Sequence, residues 1–514
     1  ILNMEILNKE QQLAVDTIYG PVLIMAGAGS GKTKTLISRI DHMIAQGIQP
    51  SNILAITFTN KAAKELVERL SFQAKSITAS TIHSLCVNLL RGHIKRLGYT
   101  NDFTVIDTED AKTIINYIKS DIRSDIAEGS NRQWTERQIK DMKTSTIQRV
   151  ISLVKSDYHP NRVDQQIKTY CLEEQLYPEE AYQYIFHQYQ QYNFDNALLD
   201  FDDLLIKTVE LLKTQPDILK QFQQKYQYIM VDEYQDVNGI QNEIVRLLVG
   251  DNQNLCVVGD PDQSIYKFRG AKIKNIINFN RFYPNAKVIY LHKNYRSRQN
   301  ILDVANDVIN KNEKINNMER YLVSNKSEGK PSVVIVNADN EYKEADGVAR
   351  LITSLKQLNP NAQNKDFVVL YRNNYLNTPV QRSLKNADIP YYVNNGINFY
   401  QRKEVKDMVA YLNICVNPHV DLHIKRVINT PARYVGAKTI QRLEVFAKNQ
   451  IQPLTLATTF SHLDDIGIKG KTRKGIELFL DLYRQMPKDN NLTLTALFDY
   501  FYVASGYSDL VNQD

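Results

Sequence analysis

Two short stretches carry the residue types that phosphate chemistry requires. The first is Gly27-Ala28-Gly29-Ser30-Gly31-Lys32-Thr33, preceded by Ala26 where a strict phosphate-loop pattern has Gly. Glycines let successive backbone N–H groups turn inward around phosphate oxygens. A helix starting behind the loop adds the positive end of its dipole. In such a loop Lys32 reaches the β- and γ-phosphates and Thr33 holds Mg²⁺. The second stretch is Asp232-Glu233, which closes the apolar run Tyr228-Ile229-Met230-Val231. There Asp232 would hold the metal and Glu233 would polarise the attacking water. The bland alternatives are a glycine-rich turn with a chance Lys-Thr, and a solvated strand end. Together, and with Gln235 and Asp236 directly after, the two stretches favour nucleoside-triphosphate hydrolysis. Phosphate transfer to a small molecule is the other reading these residues leave open.

Strands and a helix must position those residues. Pro21 to Ala26 is an apolar run before the loop, and a helix is expected from Thr33 onward. Further apolar runs at 53–58, 228–231, 254–258 and 288–291 read as strands separated by helix-length segments. That alternation predicts a parallel α/β sheet. Residues from about 91 to 191 are polar and helical in pattern, and read as an insertion. After Asn294 the pattern restarts, with strands expected at 332–336 and 367–371, and turns mostly helical from about 390. The expected fold class is therefore α/β, a P-loop NTPase of two parallel-sheet units, each with a mostly helical insertion. Residues 1–91 and 192–290 form the first unit with 92–191 inserted; 291–389 begin the second, with 390–514 as its insertion.

Composition sets the outer limits. The 514 residues are 43% hydrophobic and 23% charged, within the soluble globular range. A balance of 63 basic against 57 acidic residues gives +6, too small by itself to name a partner. Four scattered cysteines without a CxxC pair argue against a disulfide framework or zinc site, and for a reducing, cytoplasmic setting. No apolar run approaches the roughly 18 residues that span a membrane. The chain opens on Ile1 rather than Met, which reads as a fragment.

Beyond the two phosphate stretches, the sequence resembles the UvrD/PcrA/Rep type of superfamily 1A DNA helicase almost from end to end. Leu7 to Gln12 resembles that family's Q motif, Ala26 to Thr33 motif I, Thr57 to Ala63 motif Ia and Ser80 to Ser84 motif Ib. Asp200 to Leu204 resembles motif Id, Val231 to Asp236 motif II, Val258 to Tyr266 with Arg269 to Ala271 motif III, and Asn294 to Ser297 motif IV. The resemblance implies two RecA-like units, ATP and Mg²⁺ as cofactors, and single-stranded DNA and strand junctions as partners. It implies 3′ to 5′ movement with unwinding in repair, recombination or replication. Repair or replication-initiator proteins would be its protein partners, in a monomer or dimer.

Roles carry over residue by residue as implications of the resemblance. Gln11 would read the adenine edge and Tyr295 would stack on its ring. Arg39 would also serve the nucleotide. Arg296 would fork to the γ-phosphate and Gln263 would sense it. Phe58, Tyr266 and Phe268 would stack on bases; Phe268 stands where relatives usually carry Trp. Lys61, Thr81, His83 and Arg269 would contact phosphates or couple the sites. For any one ring alone, core packing is the competing reading; for His83, a satisfied helix-start histidine. Phe399 to Glu404 resembles a junction segment, and Asn429 to Gly436 a glycine hairpin in which Tyr434 replaces Gly. Residues 405–514 contain no stretch like motifs V and VI, so a C-terminally truncated record is expected, with an unpaired edge on the second sheet. A DNA- and ATP-binding remnant without unwinding, and the helicase part of a helicase–nuclease, are the alternatives.

Overall fold

The computed structural model describes residues 7–100, 102–127, 129–130, 132–266, 270–311, 321–327, 333–393, 402–450, 454–487 and 493–511. Phe268 and Arg269, Ser332, and Phe399 to Gln401 lie outside the described residues. Two compact units are present: Ile1–Gly329 with Ile414–Lys425 and Gly436–Lys469, and Lys330–Asn413 with Arg426–Val435 and Gly470–Asp514.

The first unit is built on strands β1 (Val22–Ala26), β2 (Ile53–Thr57), β3 (Thr78–Thr81), β4 (Thr104–Val105), β5 (Leu198–Leu199), β6 (Tyr228–Val231), β7 (Leu255–Gly259), β8 (Lys287–Leu291), β9 (Lys293–Asn294) and β10 (Val323–Ser324). Six of them form one parallel sheet in the order β3-β2-β6-β7-β1-β8. All five residues of β1 are buried, as a central strand covered on both faces requires. Alternation sends Val22, Ile24 and Ala26 into one core with Leu36, Ile40 and Met43. It sends Leu23 and Met25 into the other with Leu85, Leu89 and Val257.

The helices that matter for function are α1 (Lys9–Asp16), α2 (Lys32–Ala45), α3 (Asn60–Arg69), α4 (Ile82–His93), α5 (Thr108–Ala127), α6 (Glu136–Asp141), α7 (Thr144–Ser156), α8 (Val163–Glu173), α9 (Glu179–Asp195) and α10 (Phe201–Thr214). Helices α5 to α9 surround a separate core of Ile114, Ile118, Val150, Ile151, Ile167 and Ile185. The short parallel pair β4–β5 closes the base of this helical segment. Strand β3 escapes the apolar-run criterion because it is an edge strand of Thr and Ser, only half-buried.

The second unit departs from expectation. Residues 333–336 and 367–371 read as strands, yet among the described residues they pair in no ladder. Ile335 and Leu370 are 88% and 89% exposed. Alternating or apolar sequence supplies strand propensity, but a strand exists only where a neighbour takes its backbone hydrogen bonds. What does fold here is helical. Helix Glu341–Leu358 packs on Asn377–Asn386 through Ala349, Ile352 and Leu384. The hairpin at 429–436 is organised by Arg433, whose guanidinium donates to the carbonyls of Val427, Ile428 and Ser505 and to the Tyr411 hydroxyl. Tyr434 takes φ 60, the left-handed conformation that Gly favours, with its ring in solvent.

Candidate functional site

The sheet places its functional side chains just beyond the carboxyl ends of its strands, where parallel sheets of this kind bind ligands. After β1 comes the loop Gly27 to Gly31, then α2 beginning at Lys32. Gly29 and Gly31 have φ 67 and 86, which side chains rarely adopt. No side chain caps α2, so the N–H groups of its first turn stay directed at the loop. Ala26 itself is buried as the last residue of β1 and offers only backbone.

Hydrogen bonds from outside fix the loop's shape. The Ser30 hydroxyl donates to the Gly27 carbonyl at 2.7 Å. The Asn294 amide donates to the Ala28 carbonyl at 2.5 Å, and the Tyr295 N–H to the Gly29 carbonyl at 2.8 Å. Asn294 also accepts from the N–H groups of Arg296 and Ser297, so it is a buried clamp joining the motif IV turn to the loop. A Cβ on Gly29 would come within 2.8 Å of the Arg296 Cβ, which places the Arg296 backbone against the loop. Asn294 carries no role by residue type alone; its sequence signal is an Asn two residues before Arg296, the pattern of an Asx-turn.

The acids lie across from the loop. Lys32 Nζ sits 3.1 and 3.3 Å from the two Glu233 carboxylate oxygens. Glu233 stands at φ 51, a left-handed conformation held by its surroundings. Its carboxylate also accepts from the Gln235 amide at 2.8 Å, and Gln235 in turn accepts from the Asp260 N–H at 2.9 Å. Gln263 donates to the Asp260 carboxylate at 2.6 Å. One polar chain thus runs from Lys32 through Glu233 and Gln235 to Asp260 and Gln263. Burial, and then the Glu233 charge, push the Asp232 carboxyl up to about 6. The same two causes push Asp236 up to about 6. Thr33 is the second residue of α2.

Two expected nucleotide contacts have other partners. The Gln11 side chain is buried; its oxygen accepts from the Asn8 N–H at 3.1 Å and its amide donates to the Ser30 carbonyl at 3.0 Å. Both ends of the amide are thus bound inside the protein, pinning α1 to the loop. Arg39 is buried beneath α1, donating to the carbonyls of Ala14 and Ile18. It holds the helix that carries Gln11. The Tyr295 ring remains partly exposed, and its hydroxyl accepts from the Asn8 amide at 3.0 Å.

A second feature lies past β2, β3 and β6. Phe58 and Tyr266 pack with ring centroids 4.9 Å apart, and His83 meets Phe201 edge-on at 5.8 Å. These four rings line a groove of about 760 Å³, and Phe58, His83 and Phe201 also line a recess of about 500 Å³. Phe58 and Phe201 are well exposed. Burial holds the His83 imidazole below its usual range, so at neutral pH it contributes a ring and not a charge. Thr81 caps α4, accepting from the Ser84 N–H, and Lys61 is exposed in the first turn of α3. Phe201 went unassigned in the sequence although it sits inside the Asp-Phe-Asp-Asp-Leu run; the signal was an aromatic at a helix start beside a capping Asp.

No helix among the described residues is long and apolar enough to cross a membrane. Residues 7–284 match the UvrD/REP helicase N-terminal domain, and residues 289–490 the UvrD-like helicase C-terminal domain. The chain is 37% identical over 514 residues to a Bacillus subtilis protein named ATP-dependent DNA helicase PcrA, covering 99% of this chain and 65% of that one. Proteins of the same name from Staphylococcus epidermidis and Staphylococcus aureus are each 35% identical, with 99% of this chain and 67% of theirs aligned. The chain therefore spans about two thirds of the length of these relatives.

Proposed function

The chain belongs to the UvrD/REP helicase family, and from that premise we propose that it binds ATP at the loop Gly27–Thr33 and single-stranded DNA in the aromatic groove, as part of an ATP-dependent DNA helicase. The observation that carries the reading is the placement of both features on one sheet, joined by the polar chain from Lys32 to Gln263. Lys32 turns from Glu233 to the nucleotide's phosphates, which frees the Glu233 carboxylate to orient a water. Gln235 keeps that carboxylate in place and reports on Asp260 and Gln263, which precede Tyr266 of the groove. Arg296, held by Asn294 against Gly29, supplies positive charge at the loop. Phe58, Tyr266 and Phe201 offer faces on which bases stack, each worth about 1–3 kcal/mol. Thr33 and Asp232 are the residues that would hold Mg²⁺, whose charge screens the phosphates when bound. The fit is chemical: a carboxyl pushed up by burial and by Glu233 gains from a nearby cation.

The finer reading follows the family: movement 3′ to 5′ on single-stranded DNA, unwinding at strand junctions in repair, recombination or replication, a cytoplasmic setting, and two RecA-like units divided at 1–91 with 192–290, 92–191, 291–389 and 390–514. For these 514 residues we propose binding of both ligands and hydrolysis of ATP at the loop. The test is ATP hydrolysis with and without single-stranded oligothymidylate, beside Lys32→Ala. We expect oligonucleotide-stimulated turnover that Lys32→Ala removes. Turnover indifferent to both the oligonucleotide and Lys32→Ala would refute the assignment.

A further inference from the structure

We propose that the last turn of α7, Ser152 to Asp157, is a spacer that sets the separation of the groove's aromatic walls, with Lys155 and Asp157 as positioning residues. The inference rests on the reading of the groove as a single-strand site. One end of the spacer grips the start of α10. Lys155 is fully buried, with its amine 2.7 Å from both Asp200 and Asp203. Ser152 donates to Asp202 at 2.8 Å, and Tyr189 of α9 donates to Asp200 at 3.0 Å. These three acids flank Phe201 in sequence, so the grip fixes the residue that carries the ring.

The other end holds Gly270 to Lys272. Asp157 lies 2.7 Å from the Lys272 amine. Ser156 packs so tightly on Gly270, at φ 82, that a Cβ there would come within 2.6 Å of the Ser156 hydroxyl. The Ala271 N–H closes a turn onto the Tyr266 carbonyl at 3.3 Å, and the Lys272 N–H donates to the Val237 carbonyl at 3.2 Å. The two grips thus share the C-terminal end of one helix, Ser152 and Lys155 facing α10 while Ser156 and the C-cap Asp157 face Gly270 and Lys272. A helix of fixed rise with a buried ion pair at one end cannot shorten or slide without leaving a charge unpaired. The helical segment α5–α9, which lines the groove with Gln148, Arg149 and Ser152, accordingly also holds Phe201 and Tyr266 apart.

Lys155→Met would strand buried carboxylates and disturb the fold, so the test uses the exposed end. The variants are Asp157→Lys, Lys272→Asp and the exchanged pair, with Phe58→Ala as a control that the readout senses the groove. The probe is a single-stranded oligothymidylate carrying 2-aminopurine, whose quenching reports ring stacking. Electrostatics alone would tighten binding in Asp157→Lys, which adds positive charge. The spacer predicts the opposite: each single variant lowers affinity about fivefold and reduces quenching at saturation, and the exchange restores both to within about twofold. Binding of a fluorescent ATP analogue stays unchanged throughout. Single variants that quench like the parent, or an exchange that fails to restore, overturn the inference while Phe58→Ala still upholds the groove. A parent that does not bind the oligonucleotide overturns both.

Discussion

The phosphate loop and the aromatic groove lie at the same end of one parallel sheet, and they are held in opposite ways. Around the loop the backbone is tied down from several directions: Ser30, Asn294 and Tyr295 bond to three successive loop carbonyls, and Gln11 to a fourth. The groove presents half-exposed rings drawn from four separate segments, each ring packed on one neighbour. The difference follows from the ligands. Phosphate oxygens need N–H groups at fixed points, because a preorganised cradle loses nothing to rearrangement. A single strand that moves through a groove needs sequence-tolerant faces that release it again. Rigidity is thus concentrated at the loop, and in the groove it is delegated to the elements behind it.

The buried pair behind the groove is where that delegation can be broken most severely. Lys155→Met leaves Asp200 and Asp203 facing each other without a cation. Burial alone would lower the Lys155 amine, and these two acids hold it above the usual lysine range instead. Removing one partner of such a site costs about 3–5 kcal/mol. Urea unfolding of Lys155→Met should show that loss, and Lys155→Met/Asp203→Asn should recover part of it.

At the loop the corresponding change has the opposite sign. The folded-state pKa of Asp232, about 6, lies above the ordinary carboxylate value, so the folded chain binds that proton more tightly than the unfolded chain does. Its ionisation therefore costs stability, fully above about pH 6 and fading as pH falls towards 4. Asp232→Asn should raise the stability of the nucleotide-free protein at about pH 7.5 by up to about 2 kcal/mol, and by little at about pH 4.5. Thermal unfolding at the two pH values measures this. A stabilising gain paired with lost turnover would mark Asp232 as kept for chemistry and not for folding.

The smallest expected effect lies outside both regions. Tyr434 occupies a left-handed position with its ring exposed. Tyr434→Gly should stabilise the hairpin by about 1 kcal/mol, less the entropy glycine adds to the unfolded chain. Neither ligand's affinity for the first unit should move. Paired unfolding and binding curves test this.

What could be read from the sequence tracks how local each interaction is. The loop, the Asp232-Glu233 pair and strands β1, β2, β6, β7 and β8 were legible because consecutive residues determine them. Strand β3 was missed because its Thr and Ser residues sit at an edge, with no apolar run to betray it. The runs at 333–336 and 367–371 have strand composition without a partner among the described residues, and pairing is not a local property. Lys155 looked like any helix-end lysine, because its carboxylates are 45 and 48 residues away in sequence. That Gln11 also bonds the Asn8 and Ser30 backbone, and Arg39 the Ala14 and Ile18 carbonyls, is a set of contacts between separate segments that only coordinates reveal.

The account stands on the claim that one sheet presents two separable sites. The direct measurement is a pair of titrations, a fluorescent ATP analogue and a single-stranded oligonucleotide, on the parent, on Lys32→Ala and on Phe58→Ala/Tyr266→Ala. The account predicts that Lys32→Ala weakens the analogue at least about tenfold with the oligonucleotide unchanged, and that the double ring variant weakens the oligonucleotide by about 2 kcal/mol or more with the analogue unchanged. Loss of both ligands in either variant, or of neither in both, would contradict it.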